Sequence, residues 1–249
     1  GLFSLVASTV GQPAAEWLER RVHVPQALHD FSWSEEGVHR VWLAEALNLC
    51  LFHKLVQAVP DGLRYVDEQF ESGRKVVFDH GAIRTVDWAQ NGELPRGRQA
   101  FARLLEPLGF TDVRTYPLTK LNMTGWGYRQ MDLPEDIAQF FVSELHPGRL
   151  SQAFQDAVTR VVSSSRDPLT PNDLSVLQCL RTTRHCSLED AIRLLPALYR
   201  AFDRQHGVVQ EADYRQLLSE SAEMAWISTE GNSFNHLTDR VENLEATVG

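Results

Sequence analysis

Two short stretches of the chain carry the same residues at the same spacing. They are Phe78-Asp79-His80 with Arg84 four residues on, and Phe234-Asn235-His236 with Arg240 four residues on. Phe, His and Arg repeat at identical offsets, and Asn takes the place of its isostere Asp. Imidazole nitrogens are ligands for divalent transition metals, and two histidines meeting from separate strands with open space between them begin a metal site. Two His plus one carboxylate on one side of Fe(II) leave positions for O2 and a bidentate substrate, whereas a closed four-ligand shell suits structural zinc. Arg84 lies about 13 Å along an extended chain from His80, at roughly 3.3 Å per residue. A guanidinium reaching back from there holds a carboxylate through two parallel hydrogen bonds. The substrate this implies is a small acid, one end on the metal and a carboxylate on Arg84. Taken without its echo, the His80 face reads either as the lining of a polar pocket or as an exposed strand with ordinary surface residues.

The elements that must position these groups follow from periodicity. Residues 76–86 are rich in β-branched and aromatic side chains between Gly73 and Asn91-Gly92, which predicts a strand. Strict alternation would put Phe78, His80, Ala82 and Arg84 on one face and Val77, Asp79, Ile83 and Thr85 on the other. An amphipathic helix over 97–108, with Phe101, Leu104, Leu105 and Leu108 as its stripe, is stopped by Gly109. Strands follow over 110–116, 121–130 and 137–145, so that 75–145 has the order βαβββ. Upstream, 1–70 reads as helical, with a break at Gly11-Gln12-Pro13, a second helix capped by Ser34, and an end at Pro60-Asp61-Gly62. Downstream, helices over 150–162, 172–180, 187–202 and 212–221 form a helical insert over 150–221. β character returns at 224–228 and 232–241, and Glu242-Asn243-Leu244-Glu245 reads as a helix beginning. Each His-containing strand is thus followed by a predicted helix, the arrangement that duplicated βαβββ modules produce about a pseudo-two-fold axis. The whole, 1–249, is expected to be one α+β domain with a large helical component and a truncated second module at 223–249.

Composition narrows the classes. A net charge of -9 with no Lys/Arg cluster argues against binding a nucleic-acid backbone. Cys50, Cys179 and Cys186 are an odd count without CxxC spacing, which fits a reducing, cytoplasmic compartment. The apolar run Leu2–Val10 is too short for a membrane span and lacks the basic leader of a signal peptide. The chain begins at Gly1 rather than Met, as a processed chain or a fragment would. No GxSxG elbow, HExxH or P-loop is present.

The segments 80–85, Phe141-Val142-Ser143-Glu144-Leu145 and 232–241 together resemble the 2-oxoadipate dioxygenase/decarboxylase family, also called 2-hydroxyglutarate synthase, from about residue 35 onward. The resemblance implies a fold similar to the vicinal oxygen chelate superfamily and Fe(II) bound by two His and one Glu. It implies that O2 is used to convert 2-oxoadipate to 2-hydroxyglutarate with loss of CO2, in lysine catabolism. By the same resemblance His80 and His236 match the iron-ligating histidines and Arg84 the substrate-binding arginine. The family Glu would stand on the last strand of the second module, beyond Gly249, and Glu144 is the in-chain substitute to consider. The alternatives are a glyoxalase-like isomerase or hydrolase working without O2, and a non-catalytic small-acid binding protein. Oligomeric state is not legible.

Overall fold

Strand β2 (Phe78–Val86) lies at the middle of the main sheet, and the rest of the fold is laid out from it. A computed structural model describes residues 1–31, 33, 37–222, 225–229, 233–241 and 244–248; for 229, 233–241 and 244–248 the description is of the backbone. The sheet has the order β3-β4-β5-β2-β7-β8, with β3 (Phe110–Leu118), β4 (Met123–Gln130), β5 (Gln139–Leu145), β7 (Ser233–Val241) and β8 (Leu244–Val248). Only the β2–β5 pair is parallel, and helix α5 (Gln99–Leu105) stands in the crossover that a parallel pair requires. The expected βαβββ order therefore holds over β2, α5, β3, β4 and β5. A second, two-stranded ribbon joins β1 (Val38–His39) to β6 (His185–Cys186). The fold is α+β with open sheets and a large helical component.

Helix α3 (Arg40–Ala58) buries residues around its whole circumference, so it lies inside the molecule. It packs between the sheet and an outer layer that includes α1 (Leu2–Val10), α2 (Gln12–Arg21), α7 (Pro171–Thr183) and α8 (Leu188–Ala201). Phe52 of α3 meets Phe78 of β2 at 4.9 Å between ring centroids. One apolar cluster holds these helices against Phe78, Ile83, Phe140 and Val142 on one sheet face. A smaller cluster holds α6 (Gln152–Val162), α9 (Glu211–Glu220) and α10 (Trp226–Thr229) against Val86, Met123 and Leu145 on the other. The second layer covers only one end of that face.

Local expectations fail where tertiary context overrides propensity. Ser34 lies outside the described residues, and α3 begins at Arg40, capped by His39 Nδ1, which accepts from the Val41 N–H at 3.3 Å. Pro60 does not end helical structure but opens α4 (Pro60–Glu71), because a first-turn residue needs no N–H partner. Pro117, outside the strand expected over 110–116, lies inside β3, at the sheet edge where a missing donor is tolerated. Trp226–Thr229 is helical where a strand was expected, and Leu244–Val248 is a strand paired to β7 where a helix was expected. Met224, Glu242 and Asn243 of those two segments lie outside the described residues.

The β2–β7 pairing bears on the internal echo. Phe78 stands opposite Asp239, His80 opposite Thr238, Gly81 opposite Leu237, Ala82 opposite His236 and Ile83 opposite Phe234. Replacing each residue by its counterpart in the echo (Phe78 by Phe234, His80 by His236, Gly81 by Leu237) returns the same set of pairs. The two strands are thus hydrogen-bonded neighbours about a local two-fold axis through the Gly81–Leu237 pair. The register slips once at Asp79 and once at Asn235, the matched Asp/Asn positions, so each strand carries a bulge at the same point.

Candidate metal and acid site

The bulge at Asp79 decides what β2 presents. It turns Phe78 into the helical layer, correcting the expectation that Phe78 shares a face with His80, and leaves His80, Ala82 and Arg84 on the opposite face. The half-buried His80 ring is held by its neighbour, Nδ1 standing 2.8 Å from Asp79 Oδ2. A carboxylate on one ring nitrogen orients the other for a ligand, the usual support of a metal-binding imidazole. In the backbone register His236, opposite Ala82, is one diagonal step from His80. The side chain of His236 lies outside what is described. Arg84 stands opposite Ser143 on one side and Ser233 on the other, with its guanidinium carbon 5.5 Å from the centre of the Trp226 ring.

A cavity of about 250 Å³ opens beside His80, lined by Asp79, His80, Tyr116, Gly127, Gln139, Phe140 and Phe141. It lies on the part of the sheet face that α6, α9 and α10 leave uncovered. Gly127 of β4 leaves bare backbone in the lining, and Gly125 of the same strand takes the Phe141 ring. A Cβ on Gly125 would meet Phe141 Cζ at 2.3 Å, so the Phe141 ring lies directly on that backbone. Tyr116 closes the far side, its ring 5.4 Å from that of Phe141. The histidine and the apolar rings thus share one recess with a bare-backbone floor.

Glu144 is elsewhere. It pairs with Thr85, whereas His80 pairs with Gln139, five residues away or about 17 Å along the strand. Its Oε2 accepts from the Arg98 N–H at 2.8 Å, just before α5. The chain therefore does not bring Glu144 to His80, and it does not serve as an in-chain third ligand there.

Among the described residues, one set of three groups could hold a metal: Asp87, Glu144 and His146, whose ligand atoms lie within 4.8 Å of one another. Each is engaged within the protein. His146 Nδ1 lies 2.9 Å from Asp87 Oδ2 and its Nε2 2.8 Å from Thr124 Oγ1, and the other Asp87 oxygen accepts from Arg96. Burial alone would raise the Asp87 pKa; the hydrogen bonds from Arg96 and His146 outweigh it and hold the carboxyl below its usual value. Sequence reasoning missed this group. Its sign was Glu144-x-His146 at the end of one strand and Asp87 just after another, and only the parallel pairing of Val86 with Leu145 joins them.

The donor chemistry at His80 suits a divalent transition metal, iron among them: an imidazole oriented by a carboxylate, a register that sets the second histidine position beside it, and an adjoining recess of ligand size. His39 and His185 also approach, their rings 4.8 Å apart, but His39 Nδ1 caps α3 and His185 Nδ1 bonds to the Thr183 carbonyl. The cysteines are free, with Cys186 buried and Cys179 exposed. No described helix is long and apolar enough to cross a membrane.

The chain is 47% identical to a protein named for the glyoxalase superfamily from Ralstonia eutropha JMP134, with a TM-score of 0.92, covering 97% of this chain and 75% of that one. Hydroxyglutarate synthase from Pseudomonas putida, in complex with 2-oxoadipate, shares the fold at 16% identity and a TM-score of 0.64, over 84% of this chain and 51% of that one. Hydroxyglutarate synthase from Oryza sativa, also with 2-oxoadipate, matches at 14% identity and a TM-score of 0.57, over 88% and 60%. The chain thus spans only about half to three-fifths of the synthases it resembles. No functionally curated protein matches it significantly. The family model described as 2-oxoadipate dioxygenase/decarboxylase matches residues 49–248, which take in β2, its cavity and β7. On that match, the chain belongs to the 2-oxoadipate dioxygenase/decarboxylase family.

Proposed function

We propose that this chain is the core of an Fe(II)-dependent dioxygenase that decarboxylates a 2-oxo dicarboxylic acid of the 2-oxoadipate type to the 2-hydroxy acid one carbon shorter, consuming O2 and releasing CO2. The observation that carries the reading is the β2–β7 register, which sets the His80 and His236 positions diagonally about a local two-fold axis with Arg84 on the His80 face. Iron, when bound, would supply the activation of O2. The protein's part is to bind and orient. Asp79 fixes the His80 ring. Arg84 clamps the acid's remote carboxylate, backed by the Trp226 ring. Phe141, in the lining of the recess, and Ala82, on the His80 face beside it, limit water at the site.

The test is metal content and oxygen uptake of Fe(II)-supplied protein on a panel of 2-oxo diacids. His80→Ala and His236→Ala are expected to lose stoichiometric iron, and either variant retaining it would sink the assignment. Arg84→Ala is expected to weaken 2-oxoadipate binding by about 30-fold or more, the equivalent of ~2 kcal/mol for an uncompensated charge. Unchanged affinity would remove Arg84 from the site. The 47% identity to a protein named for the glyoxalase superfamily favours one second reading, a metal-dependent isomerase or hydrolase. Turnover without oxygen uptake would select it.

A further inference from the structure

Gly125 and Gly127 both lie in β4 on the cavity side, yet they are there for different reasons. Glycine inside a strand weakens it, because it adds backbone entropy and has no side chain to pack. Gly125 has a steric reason, since any Cβ would strike the Phe141 ring at 2.3 Å. Gly127 has none. A Cβ there would find its nearest neighbours, the Arg114 carbonyl oxygen and Tyr116 Cε2, at 3.7 Å, which is ordinary van der Waals contact. Its backbone is not among those with positive φ, so any L-residue could adopt it. What Gly127 does face is the cavity beside His80. A strand glycine marks a bulge or a place where something approaches the chain; β3 does bulge at Val113, across from Gly127, but the room for a Cβ shows that the bulge does not exclude a side chain there.

We infer that Gly127 is the size gauge of the acid-binding recess: its bare backbone is one wall of the recess, and a side chain there would narrow the recess and exclude longer acids. The inference rests on the function proposed above. The recess, at about 250 Å³, is just under the usual ligand-pocket range of roughly 300–1,000 Å³, so a branched side chain takes a large share of it. Short 2-oxo acids would still reach His80 without touching residue 127.

The experiment compares wild type, Gly127→Ala, Gly127→Val and Gly125→Ala, each loaded with Fe(II) under nitrogen, for calorimetric binding of 2-oxoadipate and of pyruvate and for melting temperature. Gly127→Val is expected to bind 2-oxoadipate at least about tenfold more weakly, the scale of one misplaced methylene or more in a fitted pocket, with pyruvate affinity within about threefold of wild type. Gly127→Ala is expected to shift in the same direction by less and to melt no lower than wild type. Gly125→Ala is expected to melt lower. Should Gly127→Val fail to fold, Gly127→Ala carries the comparison. Equal affinities of wild type and the Gly127 variants for 2-oxoadipate, or equal losses for both acids, would overturn the gauge and leave the proposed function standing. If neither acid binds the wild type, both readings fall together.

Discussion

At the residue scale, Glu45 is the group whose surroundings most change its chemistry. It lies on α3 with 2% of its surface exposed, and desolvation pushes its pKa from 4.5 up to about 8. Below pH 4.5 the carboxyl is protonated in both folded and unfolded states. Between 4.5 and 8 the unfolded chain releases the proton first, so stability falls as pH rises and levels off above about 8. The loss is on the order of a few kcal/mol at neutral pH. Glu45→Gln is therefore expected to raise the denaturation midpoint at pH 7 and to flatten its dependence on pH from 5 to 8, measured by urea unfolding across that range. An unaltered slope would mean that Glu45 ionises normally. Sequence alone places Glu45 on a helix but not inside it, because burial all round α3 depends on what lies on its two sides. His80 is the opposite case. Its type, its strand and its echo at His236 are legible directly, whereas the carboxylate that orients it is the neighbouring Asp79, which strict alternation assigns to the other face.

Element ends are where local patterns carry least information and tertiary partners most. Helix α3 starts at a histidine cap instead of the serine that the pattern offers. His39 Nδ1 can accept from the Val41 N–H only while unprotonated. Burial, partly countered by Asp132, lowers the His39 pKa from 6.5 to about 4. The unfolded histidine thus takes up its proton first as pH falls, so stability present above 6.5 is lost between 6.5 and about 4. At most about 3 kcal/mol is at stake. His39→Asn keeps a capping acceptor without a titrating group, so its melting temperature is expected to fall less than that of wild type between pH 7 and 5. Parallel slopes would exclude His39 as the source. The bulge at Asp79 belongs to the same scale: one extra residue re-aims Phe78 into the core and His80 into the recess, and its match at Asn235 came to light only in the strand register.

Across the whole molecule, the helical layer is tied to the sheet by a few buried polar contacts as well as by apolar packing. Arg40, at the start of α3, donates from Nε and Nη2 to both oxygens of Asp132 at 2.6 and 2.9 Å, and Asp132 also accepts from Gln130 at 2.9 Å. The two side chains are 12% and 6% exposed, so removing Asp132 strands the Arg40 charge, whereas Asp132 also has Arg184 at 3.7 Å. Asp132→Ala is expected to cost about 3–5 kcal/mol, and Arg40→Met with Asp132→Leu together much less, measured as unfolding free energies in a double-mutant cycle. Additive losses would show that the pair does not act as a unit. The contact joins residues far apart in sequence, and nothing in either local segment announces it.

What the sequence determines by itself is the local chemistry: which stretches are strands and helices over most of the chain, the βαβββ order, and the paired Phe-x-His-x-x-x-Arg signature with the family it resembles. These follow from side-chain type and period, which act over a few residues. The tertiary structure decides what depends on pairing between distant segments. The β2–β7 register brings the two histidine positions together on adjacent strands, and the parallel β2–β5 pairing sends Glu144 to Asp87 and His146 instead of to His80. The bulge sets the face of Phe78, and the open recess over Gly127 exists because four neighbouring strands contribute to it. A hydrogen-bonded register is a property of two segments at once, and neither alone specifies it.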